Sequence, residues 1–368
     1  MYPKSEHRNE GLQLTGLDRL AEKLPEQVDA GLIISPINRR YYTGFLSSAG
    51  VLVVMPKKSC FFIDFRYYEH AKAQITDCEV ILADRLTEQM DTLFRENQIK
   101  TVAVEAEHMT LSEFRDYQKM FPDIRFLDSD DFQKVILSDR IVKSEQEIQS
   151  VIDAQRIAEK AFEETLNYIK KGRTEREIAL FLDYTMKKLG AEDISFETII
   201  ASGKNSAVPH AVPTDKPVEN GDFIVMDFGA VVNGYHSDMT RTVAVGGISS
   251  EQERVYDTVL KAQLAAIQAV KKSMSCNSID AAARQLIDNS GYAGCFGHST
   301  GHGVGLEIHE KPNISPKNEQ ITENNMLFTI EPGIYLEGKF GVRIEDMVVV
   351  RDNGCLNLTK SKKERISL

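Results

Sequence analysis

The sequence of 368 residues contains no Cys-x-x-Cys pair. Its five cysteines, Cys60, Cys78, Cys276, Cys295 and Cys355, are odd in number and scattered. This excludes a disulfide framework and fits the reduced thiols of a cytosolic protein. Long apolar runs are lacking as well. The longest, such as GVLVVM from Gly50, fall far short of the ~18 residues a membrane helix needs. The polar stretch MYPKSEHRNEGLQLT at the start has no apolar core of the kind a signal peptide carries. Basic charge is in deficit, 44 Lys and Arg against 55 Asp and Glu, for a net charge of −11. Such a surface repels nucleic acid and anionic lipid. Short-period repeats and low-complexity segments are absent. The expectation is a soluble, cytoplasmic protein with neither a nucleic-acid nor a membrane partner.

What is present is ordinary globular material, 42% hydrophobic and 27% charged. At roughly 150 residues per domain the length predicts two domains. In the first third, strand-like runs (Gly31 to Ile34, Val51 to Met55, Cys60 to Ile63, Val80 to Leu82, Thr101 to Val104, Ile124 to Leu127) interleave with helical patterns over Thr87 to Glu96 and Leu111 to Met120. Interleaving predicts an α/β domain over residues 1–138. SDRIVKSEQE then reads as a connector into a long helix. Ser144 with Glu147, Thr174 with Glu177 and Ser250 with Glu253 each match a capping box, and Ser278-Ile-Asp opens a fourth helix. Ile148, Ile152, Ile157, Ala161 and Leu166 are the expected apolar stripe of the first. Between the helices, Glu197 to Ala201, Phe223 to Val232, His236 to Val245, Leu327 to Ile330 and Val342 to Val350 read as strands. Clustered helices and hairpins predict an α+β domain with an antiparallel sheet over residues 139–368. Helices followed by an acidic hairpin occur twice, which suggests an internal duplication.

The first hairpin is FIVMDFGAVVNGYHSDMTRTVAV. Asn233-Gly234 is a preferred tight-turn dipeptide. With Val232 facing Tyr235, the register puts Asp238 opposite Gly229 and diagonal to Asp227, ~7–8 Å away at the backbone on the same face. Gly229 is expected to leave room beneath two converging carboxylates. Asp227 follows the apolar run Ile224-Val225-Met226, so it is expected to be buried. Buried carboxylates on one face repel each other unless a cation holds them. The structural alternative for either residue is an ion pair with an arginine, for instance Arg241.

The second hairpin, EPGIYLEGKFGVRIEDMVVV, supplies Glu331 and Glu345. Alternation puts Arg343, Glu345 and Met347 on one face and Asp346 on the other, where a structural role is expected. The alternative for Glu345 is a pair with Arg343. Between the hairpins, CFGHSTGHGVGLEIHE gathers His298, His302 and His309. The glycines flanking His302 would let backbone pass close to an ion or ligand. No Lys-Ser or Lys-Thr follows, so this is not a phosphate loop. Asp227, Asp238, Glu331 and Glu345 with His302 give four carboxylates and one imidazole, a set that matches two divalent cations. Oxygen-rich coordination with one nitrogen suits manganese or cobalt, with zinc or iron as alternatives. Two ions ~3.5–4 Å apart can hold a bridging hydroxide as nucleophile, so the expected chemistry is hydrolysis.

The ordered set MDFGAVVNGYHSDMTRT, GHSTGHGVGLEIHE, EPGIY and GVRIED resembles the pita-bread metallopeptidases, in the proline-directed branch that contains aminopeptidase P and prolidase. NRRYYTGF (Asn38 to Phe45) and FFIDFRYYEHA (Phe61 to Ala71) resemble that branch's non-catalytic, creatinase-like amino-terminal domain, so the likeness covers nearly the whole chain. The resemblance implies that Asp227 binds one ion, that His302 and Glu331 bind the other, and that Asp238 and Glu345 bridge them. It implies that His309 stabilises the tetrahedral intermediate, His210 contacts substrate, Glu331 doubles as proton shuttle and Arg343 orients ligands. His298 is expected to help shape the substrate pocket. The implied activity is hydrolysis of the Xaa-Pro bond, at the amino terminus of peptides or in dipeptides, by a homodimer whose substrate is a proline-containing peptide. Two other readings compete. One is a superfamily hydrolase of methionine aminopeptidase or creatinase type, opposed by the extra α/β domain and the intact ligand set respectively. The other is a catalytically silent binding protein, opposed by the acidic charge and intact ligands.

Overall fold

A computed structural model describes residues 15–128 and 130–368. The polar amino-terminal stretch before Thr15 lies outside the described residues. The chain divides between Asp139 and Arg140 into two compact units.

The first unit runs α1 (Gly16–Glu22), β1 (Ala30–Ile33), α2 (Pro36–Thr43), β2 (Val51–Val54), β3 (Cys60–Ile63), α3 (Tyr68–Gln74), β4 (Glu79–Leu82), α4 (Leu86–Glu96), β5 (Thr101–Val104), α5 (Leu111–Met120) and β6 (Arg125–Leu127). The strands form one sheet in the order β4-β3-β2-β1-β5-β6, parallel at β3–β4, β1–β5 and β5–β6. The central strands read as continuous apolar runs because both faces are covered. Ile33, Leu52 and Phe61 pack on one side with α1, and Leu32, Val53 and Phe62 on the other with Met90 and Phe94 of α4. The expected connector is partly helical: α6 (Asp130–Ile141) extends through it, because Phe132 and Ile136 give it an apolar stripe that is fully buried.

The second unit begins with α7 (Glu145–Tyr168) and α8 (Glu175–Lys188), followed by β7 (Asp193–Ile194), β8 (Ile199–Ser202), β9 (Phe223–Phe228), β10 (Ala230–Val232), β11 (Tyr235–His236) and β12 (Met239–Ala244). Then come α9 (Ser250–Ala269), α10 (Cys276–Ile287), β13 (Gly301–Gly303), β14 (Glu310–Ile314), β15 (Leu327–Ile330), β16 (Gly333–Leu336), β17 (Phe340–Arg343), β18 (Asp346–Arg351), β19 (Gly354–Asn357) and β20 (Ile366–Ser367). The capping boxes at Ser144 and Thr174 form. The third shifts by one residue to Ser249 and Gln252, whose side-chain oxygen accepts from the Ser249 N–H at 2.8 Å, which leaves Glu253 to pair with Arg365. The helix expected at Ser278 starts earlier, at Cys276, and the Ser278 hydroxyl donates to the Ser275 carbonyl within its first turn. On α7 the buried stripe runs through Val151, Ala154, Ala158 and Phe162, with Ile152, Ile157 and Leu166 only half-buried.

Strand pairing in this unit is antiparallel except between β12 and β20. Helices α7 and α8 cover the sheet β20-β12-β9-β8 through Phe162, Leu182, Ile224, Met226 and Phe228. Helices α9 and α10 cover the strands β15 and β18 through Val259, Ile279, Phe328, Ile330 and Val348. In a strand, alternate residues face opposite ways. With Met226 and Phe228 on the helix side, Asp227 faces away from it; with Val342 and Ile344 in the core, Arg343 and Glu345 face away likewise. Each helix pair thus backs a sheet that carries two of the four carboxylates. No helix among the described residues is long and apolar enough to cross a membrane.

Candidate metal centre

A cavity of about 580 Å³ is lined by Asp227, Asp238, Glu331, Glu345, His210, His298, His302, His309 and Arg343. All nine residues singled out in the sequence therefore meet at one place. Phe196, Val212 and Ile308 add apolar wall, and Glu197, Thr198, Ser299 and Asn313 add polar lining.

The hairpin register holds. Val232 pairs with Tyr235, and Met239 with Phe228, so the count across the turn is unbroken. Asp238 lies between β11 and β12, where that register sets it opposite Gly229. The reason for Gly229 differs from the expected one, because a Cβ there would collide with the Ser237 carbonyl. The space is taken by backbone, not by carboxylates. The glycines flanking His302 also serve strand contact: a Cβ on Gly301 would meet the Thr329 carbonyl, and one on Gly303 the Lys311 carbonyl.

His302 Nδ1 lies 3.1 Å from the Gly303 carbonyl. A carbonyl can only accept, so Nδ1 carries the proton and Nε2 presents its lone pair. That nitrogen is 3.4 Å from Glu331 Oε1 and 3.5 Å from Asp238 Oδ2. Ligand atoms of Asp238, His302 and Glu345 lie within 4.8 Å of one another. Burial lowers the His302 pKa, so the ring is neutral. Acceptors therefore face acceptors. Asp227 Oδ1, Asp238 Oδ1 and Glu345 Oε1 are buried without any hydrogen-bond partner among the described residues. Such orphans are costly in an otherwise satisfied interior. Burial, then the charges of Glu345, Asp227 and Glu331, drives the Asp238 carboxyl far above its usual range; Glu345 is raised in the same way, and burial pushes Glu331 up to about 8. Divalent cations would satisfy every one of these groups, so the donor set fits metal.

Of the ion pairs weighed as alternatives, Asp227 makes one, with Arg343 and not Arg241, while Asp238 and Glu345 pair with no arginine among the described residues. Arg241 binds Asp346 at 2.8 Å, with Lys363 on the other Asp346 oxygen at 2.6 Å. Neither Asp227 nor Asp238 takes Arg241. Arg343 donates to Asp227 Oδ2 at 2.5 Å, to the Tyr335 hydroxyl at 2.8 Å, to the Pro209 carbonyl at 3.1 Å and to Thr240 Oγ1 at 3.1 Å. Thr240 in turn donates to Glu345 Oε2 at 2.7 Å. Arg343 thus reaches Glu345 only through a threonine.

The histidines divide by exposure. His210 and His309 are exposed at the cavity, and the His309 ring meets that of His302 edge-on with centroids 4.3 Å apart. His298 is held on both nitrogens. Nδ1 donates to the Ser299 carbonyl at 2.9 Å, so Nε2 accepts from the Tyr335 hydroxyl at 2.9 Å. Burial, and secondarily Arg343, lowers its pKa to about 4. His298 therefore shapes the wall through its ring and has no nitrogen left for a ligand.

Sequence reasoning missed Tyr335, Thr240 and Thr329, whose hydroxyl accepts from the His302 N–H at 3.1 Å and donates to Glu331 Oε1 at 3.2 Å. Tyr335 and Thr240 lie inside the motifs EPGIY and MDFGAVVNGYHSDMTRT, which was the available signal. It also missed Asp280 and Arg284 of α10, whose one signal was a four-residue acid–base spacing.

A profile of metallopeptidase family M24 matches residues 149–352, and one of the creatinase/prolidase amino-terminal domain matches residues 17–142. The Xaa-Pro dipeptidase of Pyrococcus furiosus is 38% identical over 350 residues, covering 95% of this chain and 98% of that one. Among solved structures, an Xaa-Pro dipeptidase from Bacillus anthracis superposes with a TM-score of 0.92 at 38% identity, covering 96% of this chain and 99% of that one. An X-Pro aminopeptidase from Thermotoga maritima gives 0.88 at 40% identity, covering 93% and 98%. The chain belongs to metallopeptidase family M24, a metal-dependent pita-bread peptidase domain behind a creatinase/prolidase-type amino-terminal domain.

Proposed function

We propose that this protein is a dinuclear metal exopeptidase that hydrolyses the Xaa-Pro bond. The observation that carries the reading is the convergence of acceptor atoms on His302 Nε2, together with three orphaned carboxylate oxygens. Asp227 would hold one ion, His302 and Glu331 the other, and Asp238 and Glu345 would be shared. Oxygen-rich ligation with one nitrogen favours manganese, with cobalt, zinc and iron behind it. Bound divalent ions supply a nucleophilic water near neutral pH and polarise the scissile carbonyl.

The remaining work falls to the protein. Neutral His309, its pKa lowered by partial burial, donates an N–H to the carbonyl oxygen that gains charge as the water adds to the carbonyl carbon. Glu331 accepts the proton given up by the attacking water and passes it to the departing proline nitrogen. His210 contacts the substrate from the exposed side of the cavity. Arg343 fixes Asp227. Proline's ring nitrogen has no N–H to recognise, and a site organised around the carbonyl does not require one.

Arg343 also bears on substrate length. A dipeptide carries its free carboxylate one residue beyond the scissile bond, and the guanidinium lining the cavity is already committed to four partners. This favours peptides that continue past proline, with dipeptides second. A homodimer and a cytoplasmic setting belong to the same proposal, and light scattering tests the first. The function is tested by metal analysis of the purified protein, followed by hydrolysis of an Xaa-Pro dipeptide and an Xaa-Pro-Yaa tripeptide with manganese or cobalt. Cleavage of either supports the reading. No cleavage of both rejects it.

A further inference from the structure

We infer that Asp280 and Arg284, on the buried side of α10, are positioning residues for His302 and Glu331 and thereby set the affinity of one metal ion without affecting the other. The inference rests on the dinuclear reading above. Asp280 is 1% exposed. Its Oδ2 accepts from Arg284 Nε at 2.8 Å and its Oδ1 from Arg284 Nη2 at 2.8 Å, a forked pair one helical turn apart. Oδ1 also accepts from the Thr300 hydroxyl at 2.8 Å and the Thr300 N–H at 3.2 Å. Arg284 carries the grip along the chain: Nη1 donates to the Phe296 carbonyl at 2.9 Å and Nη2 to the His298 carbonyl at 2.8 Å. Its guanidinium carbon lies 4.3 Å from the centre of the Phe296 ring.

Two side chains outside the cavity lining thus fasten the segment from Phe296 to Thr300, which leads directly into β13 and His302. The same Thr300 reaches the second ligand, since its carbonyl accepts from the Glu331 N–H at 2.8 Å. One residue is therefore held from behind by Asp280 and in front fixes the backbone of Glu331, while His302 follows two positions later. Asp227 has its own support in Arg343. The two halves of the centre are braced by separate arginines from separate elements. Ligand atoms must be held within ~0.5 Å of productive geometry, and loss of an outer partner costs about 10–100-fold in metal affinity or activity.

A plain scaffold role would lower stability and leave the ratio of the two metal affinities unchanged. The test is calorimetric titration of the metal-free full chain with Mn2+, and visible absorption with Co2+, for the wild type and for Asp280→Asn, Arg284→Gln, Arg284→Lys and Thr300→Val. Asp280→Asn and Arg284→Gln are expected to weaken one of two sites about 10–100-fold and leave the other unchanged. Arg284→Lys should behave like Arg284→Gln, because one ammonium cannot fork across Asp280 and also reach two carbonyls. Thr300→Val, close in shape, removes a single bond and should weaken the same site by less, which carries the test if Asp280→Asn does not fold. Variants that melt earlier yet keep both affinities, or lose both equally, would overturn the assignment. A wild type that binds no divalent ion would instead overturn the metal reading beneath it.

Discussion

Arg343 Nη2 lies 2.5 Å from Asp227 Oδ2, while Asp227 Oδ1 has no partner among the described residues. One oxygen is fixed by the protein and the other is left for a ligand, so the guanidinium decides how Asp227 is presented. Arg343→Lys keeps the charge but cannot serve Asp227, Tyr335, Pro209 and Thr240 from one nitrogen. It should lower kcat/KM for an Xaa-Pro-Yaa tripeptide about 10–100-fold. Arg343→Met should additionally cost about 3–5 kcal/mol in denaturant unfolding, because it strands a buried carboxylate. Steady-state kinetics on the lysine variant decide the point, and undiminished kcat/KM would remove Arg343 from any role in presenting Asp227.

Asp238 tests the shared-ligand assignment in the opposite direction. Its carboxyl is raised by burial and by the neighbouring carboxylates, so without metal it destabilises the fold. Asp238→Asn should abolish hydrolysis and lower metal content, since it removes a charge assigned to both ions. In chelator at neutral pH the same variant should melt higher than the wild type, because a buried amide needs no countercharge. Full activity with unchanged metal content would refute the assignment.

Much of this arrangement was legible in the sequence because it is local. Asn233-Gly234 fixes a register that reaches Asp227 by counting alone, and Ile224-Val225-Met226 marks the strand as buried. The partners were not legible. Arg241 could have served Asp227 or Asp238, yet it takes Asp346, 105 residues on in the chain. Arg343 could have taken Glu345 two positions away, yet it reaches Asp227 across 116 residues. Both choices depend on which strands of two separate sheets face one another, and no spacing encodes that. Gly229 shows the same limit, since its need arises from the Ser237 carbonyl on the opposite strand.

Glu310, beside His309, carries a pH prediction away from the metal ligands. Burial alone would raise its carboxyl, but Lys143 and Arg140 outweigh burial and hold it below the usual range. Arg140 Nη2 lies 2.6 Å away, and Lys143 Nζ binds the other oxygen. A carboxyl depressed in the folded state stabilises the protein above its ordinary value of about 4.3. That contribution is lost as pH falls through the lower, folded value. Glu310→Gln should therefore cost about 3–5 kcal/mol at pH 7, as it removes the carboxylate that buried Lys143 pairs with and leaves Arg140 with Glu307 at 2.7 Å. The gap from wild type should close as the solution is acidified past that range. Urea unfolding of both proteins in a pH series measures it, and a gap that stays constant with pH would refute the ion-pair account.

Tyr335 joins the two sides of the cavity. Its hydroxyl accepts from Arg343 and donates to His298 Nε2, and burial pushes the phenol up to about 12, so it keeps its proton throughout the working range. Tyr335→Phe conserves the ring and deletes only this relay. It leaves a buried guanidinium N–H and a buried imidazole nitrogen unsatisfied, each at a cost of about 1–3 kcal/mol. His298, freed at Nε2, would then compete for solvent or substrate. Unfolding of Tyr335→Phe, His298→Phe and the double variant forms a closed cycle that isolates the coupling. The double variant should lose less than the sum of the single ones, since removing both partners strands only the Arg343 N–H. Strict additivity would mean that the tyrosine and the histidine do not share a proton donor and acceptor after all.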